Sequence, residues 1–211
     1  MKKAVLFDLD GTLWNSTPRL VESFNLVMER DYPQLGLSIT PERMESGMGM
    51  NRVDLRRHLF PGTPDELGDR LIDACFDEEV RYLRHHYGIP YPGLEQTLER
   101  LSRHYTLGII SNCQAGYIEV FLDTIGVGRY FADHECFATG RPKGENIRLL
   151  MARNGIDRAI YVGDTQGDLN AADLAGIPFV YASYGFGSVN RETEQIDALE
   201  DLPPLAAALL K

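Results

Sequence analysis

The sequence predicts an α/β protein: a Rossmann-like parallel sheet core with helices on both faces and an inserted helical cap domain. Two patterns carry that expectation. Four short apolar runs, Ala4 to Phe7, Thr106 to Ile110, Ala159 to Val162 and Ile177 to Ala182, read as strands buried on both faces. Each is separated from the next by a segment long enough for a helix, the alternation that builds parallel sheets. The second pattern is a long interruption of this rhythm between Trp14 and about Tyr91.

Taken in order, the first run stops at Asp8 and is followed by Gly11-Thr12, a tight loop at a strand end. Residues 15–90 show no strand and read as helices punctuated by Pro33, Pro41, Gly47, Gly49, Pro61, Gly62 and Pro64. Leu67, Leu71, Cys75 and Leu83 give the last of them a long apolar face. Such an insertion reads as a cap on an α/β core formed by residues 1–14 and 91–211, with Ile89-Pro90-Tyr91-Pro92-Gly93 as the return linker. Leu94, Leu98 and Leu101, then Ile118, Phe121, Leu122 and Ile125, then Ile147, Leu150 and Met151, mark three crossover helices at helical spacing. Gly126 and Gly155 stand where the last two would stop, and Leu202 to Leu210 forms a final packing helix.

Composition narrows the function classes. The chain has 211 residues, 44% hydrophobic and 25% charged, as expected of a folded protein with a real core. Lys plus Arg number 21 against 31 Asp plus Glu, a formal charge of −10. That sign disfavours nucleic acid and anionic membrane surfaces as partners. Cys75, Cys113 and Cys136 form no CxxC pair and encode neither a disulfide framework nor a zinc site. The amino-terminal apolar run is too short for a signal peptide, and no stretch approaches a membrane span; the expected location is the cytoplasm.

Four clusters carry chemistry. Asp8-Leu9-Asp10-Gly11-Thr12-Leu13 follows the first strand, and the carboxyl ends of parallel strands are where ligands bind. One carboxylate can act as a nucleophile and the other can donate or accept a proton; a plain Asp-Gly turn is the alternative. Gly163-Asp164-Thr165-Gln166-Gly167-Asp168 follows another strand and opens a helix. Asp164 and Asp168 then share one side of its first turn, or one of Asp164 and Thr165 merely caps it. Four converging carboxylates repel unless a cation bridges them, and all-oxygen ligation favours a hard divalent ion, Mg²⁺. Ser111-Asn112 precedes a helix beginning near Ala115 and can hold phosphate oxygens, or cap that helix. Lys143, just before a helix from Glu145 to Ala152, can offset charge at a phosphate site or lie solvated at the surface.

Taken in chain order, the four clusters resemble the signature of the haloacid dehalogenase superfamily, phosphoglycolate phosphatase-like branch, over essentially the whole chain. The resemblance implies a Mg²⁺-dependent phosphatase. Asp8 would form an aspartyl-phosphate, Asp10 would be general acid and base, and Ser111 and Lys143 would hold the phosphoryl group, helped by Thr12 and Asn112. Asp8, the backbone carbonyl of Asp10, and Asp164 would ligate Mg²⁺, with Asp168 a ligand through water or a support. An acid at position 10 disfavours the dehalogenase branch, because protonating an alkoxide needs an acid and expelling halide does not. The lysine motif departs from the common family pattern: Pro142 precedes Lys143 and Gly144 follows, so Arg141 stands as an alternative cation.

Specificity is expected from Glu45 to Arg52 in the cap, with Arg52, or Arg56 one turn on, meeting an anionic part of a small phosphorylated metabolite; a helix linker with solvated arginines is the alternative. The chain is expected to be a monomer or weak homodimer, with hinges near Asn15 to Pro18 and Tyr87 to Pro92. A sugar phosphomutase of the same superfamily would use the same Asp8 and Asp10. A receiver-type module is disfavoured by the cap and the chain length. Adjacent His85 and His86 point apart on a helix and read as exposed; Trp14 and Tyr184-Gly185-Phe186-Gly187 read as packing residues, with the pocket rim as the alternative.

Overall fold

In a computed structural model, which describes the backbone of residues 1–211 and every side chain except that of residue 138, the first apolar run lies at the centre of the sheet. The chain runs β1 (Lys3–Phe7), β2 (Trp14–Asn15), α1 (Thr17–Asp31), α2 (Pro41–Glu45), α3 (Arg52–Leu59), α4 (Asp65–Leu83), β3 (Ile89–Pro90), α5 (Leu94–Ser102) and β4 (Thr106–Ile110). It continues through α6 (Tyr117–Ile125), β5 (Phe131–Glu135), α7 (Lys143–Arg153), β6 (Arg158–Gly163), α8 (Gln166–Ala175), β7 (Phe179–Ala182), β8 (Glu194–Ile196) and α9 (Leu202–Leu209). Six strands pair in the order β5-β4-β1-β6-β7-β8, all parallel.

The side-chain period of β1 divides the core in two. Val5 and Phe7 join the cluster under α5, α6 and α9, while Ala4 and Leu6 join the cluster under α7 and α8. Both faces are covered, which is why the run has no polar alternation. The fold class is therefore the one expected, an α/β sheet sandwiched between helices.

Helices α1 to α4 fill the interval after β1, and their buried residues, Leu20, Phe24, Leu71 and Cys75 among them, belong to the same cluster as Val5 and Phe7. The expectation of no strand between Trp14 and Tyr91 is corrected at its two ends. Trp14 pairs with Pro90 and Asn15 with Ile89, so an antiparallel ribbon ties the two crossings of the insertion together. Two-residue strands leave no periodicity to read, and the Pro within one masks it further.

The sheet order sets the site. Strands β4 and β6 flank β1, so the loops after these three strands emerge side by side. The connection that leaves toward β4 and β5 and returns to β6 on the other side of β1 makes this a topological switch point, where α/β sheets bind ligands.

Candidate active site

Asp8 leaves β1 with its amide donating to the carbonyl of Val162 at 2.8 Å, which keeps it in register with β6 just before the loop that carries Asp164. Gly11 turns the chain with φ +81°, and a Cβ there would lie 2.8 Å from Asp164 Oδ1 and closer still to Oδ2. Gly185 does the same from the loop after β7, where a Cβ would fall 2.5 Å from Asp164 Oδ2. The Asp164 carboxylate thus sits in a cradle of glycines, and the amides of Phe186 and Gly187 donate to its Oδ2 at 2.8 and 3.3 Å. Its Oδ1 is buried with no hydrogen-bond partner.

Helix α8 starts later than Asp164. Thr165 is its N-cap, accepting from the amide of Asp168 at 3.2 Å, and Asp168 Oδ2 returns the contact by accepting from the Thr165 amide at 3.0 Å. Capping is therefore done by Thr165, and Asp164 stands ahead of the helix. Asp168 Oδ1 accepts from Lys143 Nζ at 2.7 Å, and Asp8 Oδ1 accepts from the same ammonium at 2.7 Å. Lys143 opens α7 and is buried; Arg141, the alternative cation, is exposed.

Asp8, Asp164 and Asp168 are all buried, and one carboxylate oxygen of each lies within 4.8 Å of the others. Burial, then the carboxylates of Asp168 and Asp164, push Asp8 well above the ordinary range, with Lys143 acting against them. Burial and the neighbouring Asp168 raise Asp164 to about 7, against the two amides that favour its charge. Burial disfavours the charge of Lys143, but Asp168 and Asp8 outweigh it and hold the ammonium well above its usual value. One ammonium against three carboxylates leaves an excess of negative charge, and Asp164 Oδ1 has an open lone pair toward it. Those features fit a divalent cation bound by oxygens.

Asp10 stands apart. Its Oδ1 accepts from Trp14 Nε1 at 2.9 Å and Ser16 Oγ at 2.5 Å, and the Tyr117 hydroxyl lies 2.8 Å away. Burial raises its pKa while these three donors lower it. Trp14, read as a packing or pocket-rim residue, holds this carboxylate as well as the core.

The remaining expected residues are placed unequally. Ser111 and Asn112 follow β4 and line a cavity of about 60 Å³ with Asp8, Asp10 and Lys143. The Asn112 amide donates to the Gly49 carbonyl at 3.0 Å, so it fastens the 46–51 loop onto the core. Thr12 is buried outside that cavity, its hydroxyl unpartnered. Arg52 is not brought to the site: it pairs with Asp69 at 3.0 Å and Asp73 at 2.6 Å, because helix α4 presents two acids at its own polar surface. Arg56 pairs with Asp65 at 2.7 Å. His85 and His86 are exposed, as expected, with His86 stacked on Tyr82 at 4.3 Å.

Ser16, Glu79, Gln114 and Tyr117 were not anticipated at the site. Only Glu79 left a sequence signal: it interrupts the stripe Leu67, Leu71, Cys75, Leu83 at a position that belongs to the core.

A model of the haloacid dehalogenase-like hydrolase family matches residues 5–182, and the chain belongs to that family. The phosphoglycolate phosphatase of Rhodospirillum rubrum is 30% identical over 199 residues, covering 88% of this chain and 81% of its own. The protein of that name from Pseudomonas savastanoi pv. phaseolicola is 28% identical over 218 residues, covering 97% and 79%. A haloacid dehalogenase-like family hydrolase of Streptococcus pneumoniae shares the fold, with a TM-score of 0.82 at 20% identity over 97% of this chain and 98% of that one.

Proposed function

We propose that the protein is a phosphoglycolate phosphatase-like phosphohydrolase that cleaves a small phosphomonoester through an aspartyl-phosphate on Asp8, with Mg²⁺ as its cation. The observation that carries this reading is the gathering of Asp8, Asp164 and Asp168, with Lys143 paired to the first and last of them and Asp10 held separately by three donors. Asp8 and Asp164 would hold Mg²⁺ with the Asp10 backbone carbonyl. Bound there, the ion neutralises charge on the phosphoryl oxygens. Asp168, with one oxygen on Lys143 and the other on Thr165, supports the ammonium and the loop.

A carboxylate oxygen of Asp8 attacks phosphorus, the bond to the leaving oxygen breaks, and its electron pair takes a proton from Asp10. The three donors crowd Asp10 Oδ1, so the transferable proton sits on Oδ2. Water then gives a proton to the ionised Asp10 and attacks phosphorus, releasing phosphate and restoring the Asp8 carboxylate. Lys143 and Ser111 hold phosphoryl oxygens during both transfers.

The direct test is turnover of para-nitrophenyl phosphate with release of free phosphate. Turnover should require Mg²⁺ and fall by roughly 10³-fold or more in Asp8→Asn. Metal-independent hydrolysis that survives Asp8→Asn would falsify the reading.

A further inference from the structure

The cavity beside Asp8 restricts what can leave from phosphorus. Its lining includes apolar Leu20, Phe24, Met44 and Leu55 of the insertion, together with Glu79 and Gln114. Glu79 is 3% exposed, and the Gln114 side-chain amide donates to its Oε1 and, at 3.4 Å, to the carbonyl of Phe76. Among the described residues lining the cavity, Lys143 is the one cation, and Asp8 and Asp168 already hold it. Arg52 and Arg56 are paired with acids elsewhere and do not reach it.

A leaving alcohol with a carboxylate would bury a second anion beside the phosphoryl group, in a largely apolar cavity whose lining cation is already paired and leaves its lost hydration without offset. A hydroxyl or an ammonium meets the opposite situation, because the Glu79 carboxyl accepts a hydrogen bond from either. A second groove, about 470 Å³, shares Lys143 and Asn112 with this cavity and carries Arg141. Neither Asp8, Asp10 nor Ser111 lines it, so the group displaced by Asp8 faces Glu79 instead.

We propose that Glu79, positioned by Gln114, determines specificity: the site selects phosphomonoesters of short, non-anionic alcohols bearing a hydrogen-bond donor and rejects those bearing a carboxylate. The inference rests on the phosphatase reading and narrows it, setting this chain's substrate class apart from the phosphoglycolate of its relatives' names.

Three phosphonates that differ in one terminal group test it: 3-hydroxypropylphosphonate, 3-aminopropylphosphonate and 3-phosphonopropionate, each competing with para-nitrophenyl phosphate in the Mg²⁺-loaded enzyme. The hydroxyl or the amino compound should inhibit about tenfold more tightly than the carboxylate. In Glu79→Leu that ratio should collapse toward one. Glu79→Gln, which keeps the shape and the contact with Gln114, should retain any preference for the hydroxyl and lose any for the amine. A carboxylate that binds as well as the others in the wild type, or a ratio unchanged in both variants, overturns the proposal. So does a loss of carboxylate binding in Arg141→Ala, which would put the leaving group in the other groove. Brisk aryl phosphate turnover with the reversed order defeats this inference alone; no Mg²⁺-dependent turnover at all defeats the phosphatase reading and this one with it.

Discussion

Glu79 is buried and lines the cavity. It occupies a core position of α4, and burial, with a smaller push from Asp10, raises its carboxyl from 4.5 to about 8, against the Gln114 hydrogen bond. The native state therefore holds this proton over a range where the unfolded chain has lost it. The contribution is fully present below pH 4.5, declines between 4.5 and about 8, and is level above. At 1.36 kcal/mol per unit this is roughly 3 to 5 kcal/mol. Glu79→Gln should flatten that part of the pH profile and raise the urea midpoint at pH 8; an unchanged slope between pH 5 and 8 would show that Glu79 is ionised in the fold. Asp8 and Asp164 are legible because each directly follows an apolar run, whereas Tyr117 lies 107 residues from the Asp10 it holds, and nothing local marks it.

At the scale of elements, the sheet separates readable strands from unreadable ones by burial. The interior strands β1, β4 and β6 are covered on both faces and appear as apolar runs. Edge strand β5, Phe131-Ala-Asp-His-Glu, is half-buried along most of its length, and β8 has three residues, two of them exposed. Neither produces a run or an alternation, so both were missed. The loop after β7 was read as packing, and it does pack, but against the Asp164 carboxylate. Gly185→Ala should push that carboxylate aside, raising the Mg²⁺ concentration for half-maximal activity by about tenfold at a stability cost of roughly 1–3 kcal/mol. Unaltered Mg²⁺ dependence would mean that the loop does not position Asp164.

The whole molecule carries a formal charge of −10 and gathers three buried carboxylates, two of them on one ammonium. Such a site stores repulsion that a cation relieves. With Mg²⁺ at a hundredfold its dissociation constant, the native state should gain about 2.7 kcal/mol, a rise of roughly 5–10 °C in Tm. Asp164→Asn should melt higher than the wild type without metal and lose the Mg²⁺ shift; calorimetry showing the same shift in both proteins would remove Asp164 from the ligand set. Two contacts between insertion and core, Asn112 with Gly49 and Gln114 with Glu79, close the cavity over this charge. By itself the sequence determined the α/β alternation, the run of helices after the first strand and the acidic residues at the strand ends, because local periodicity and strand-end position encode them. Only tertiary structure decided that Lys143 rather than Arg141 enters the site, that Arg52 turns away to Asp69 and Asp73, and that Glu79 faces the cavity. Those outcomes depend on which side chains compete for one partner in space, and spacing along a chain does not record that competition.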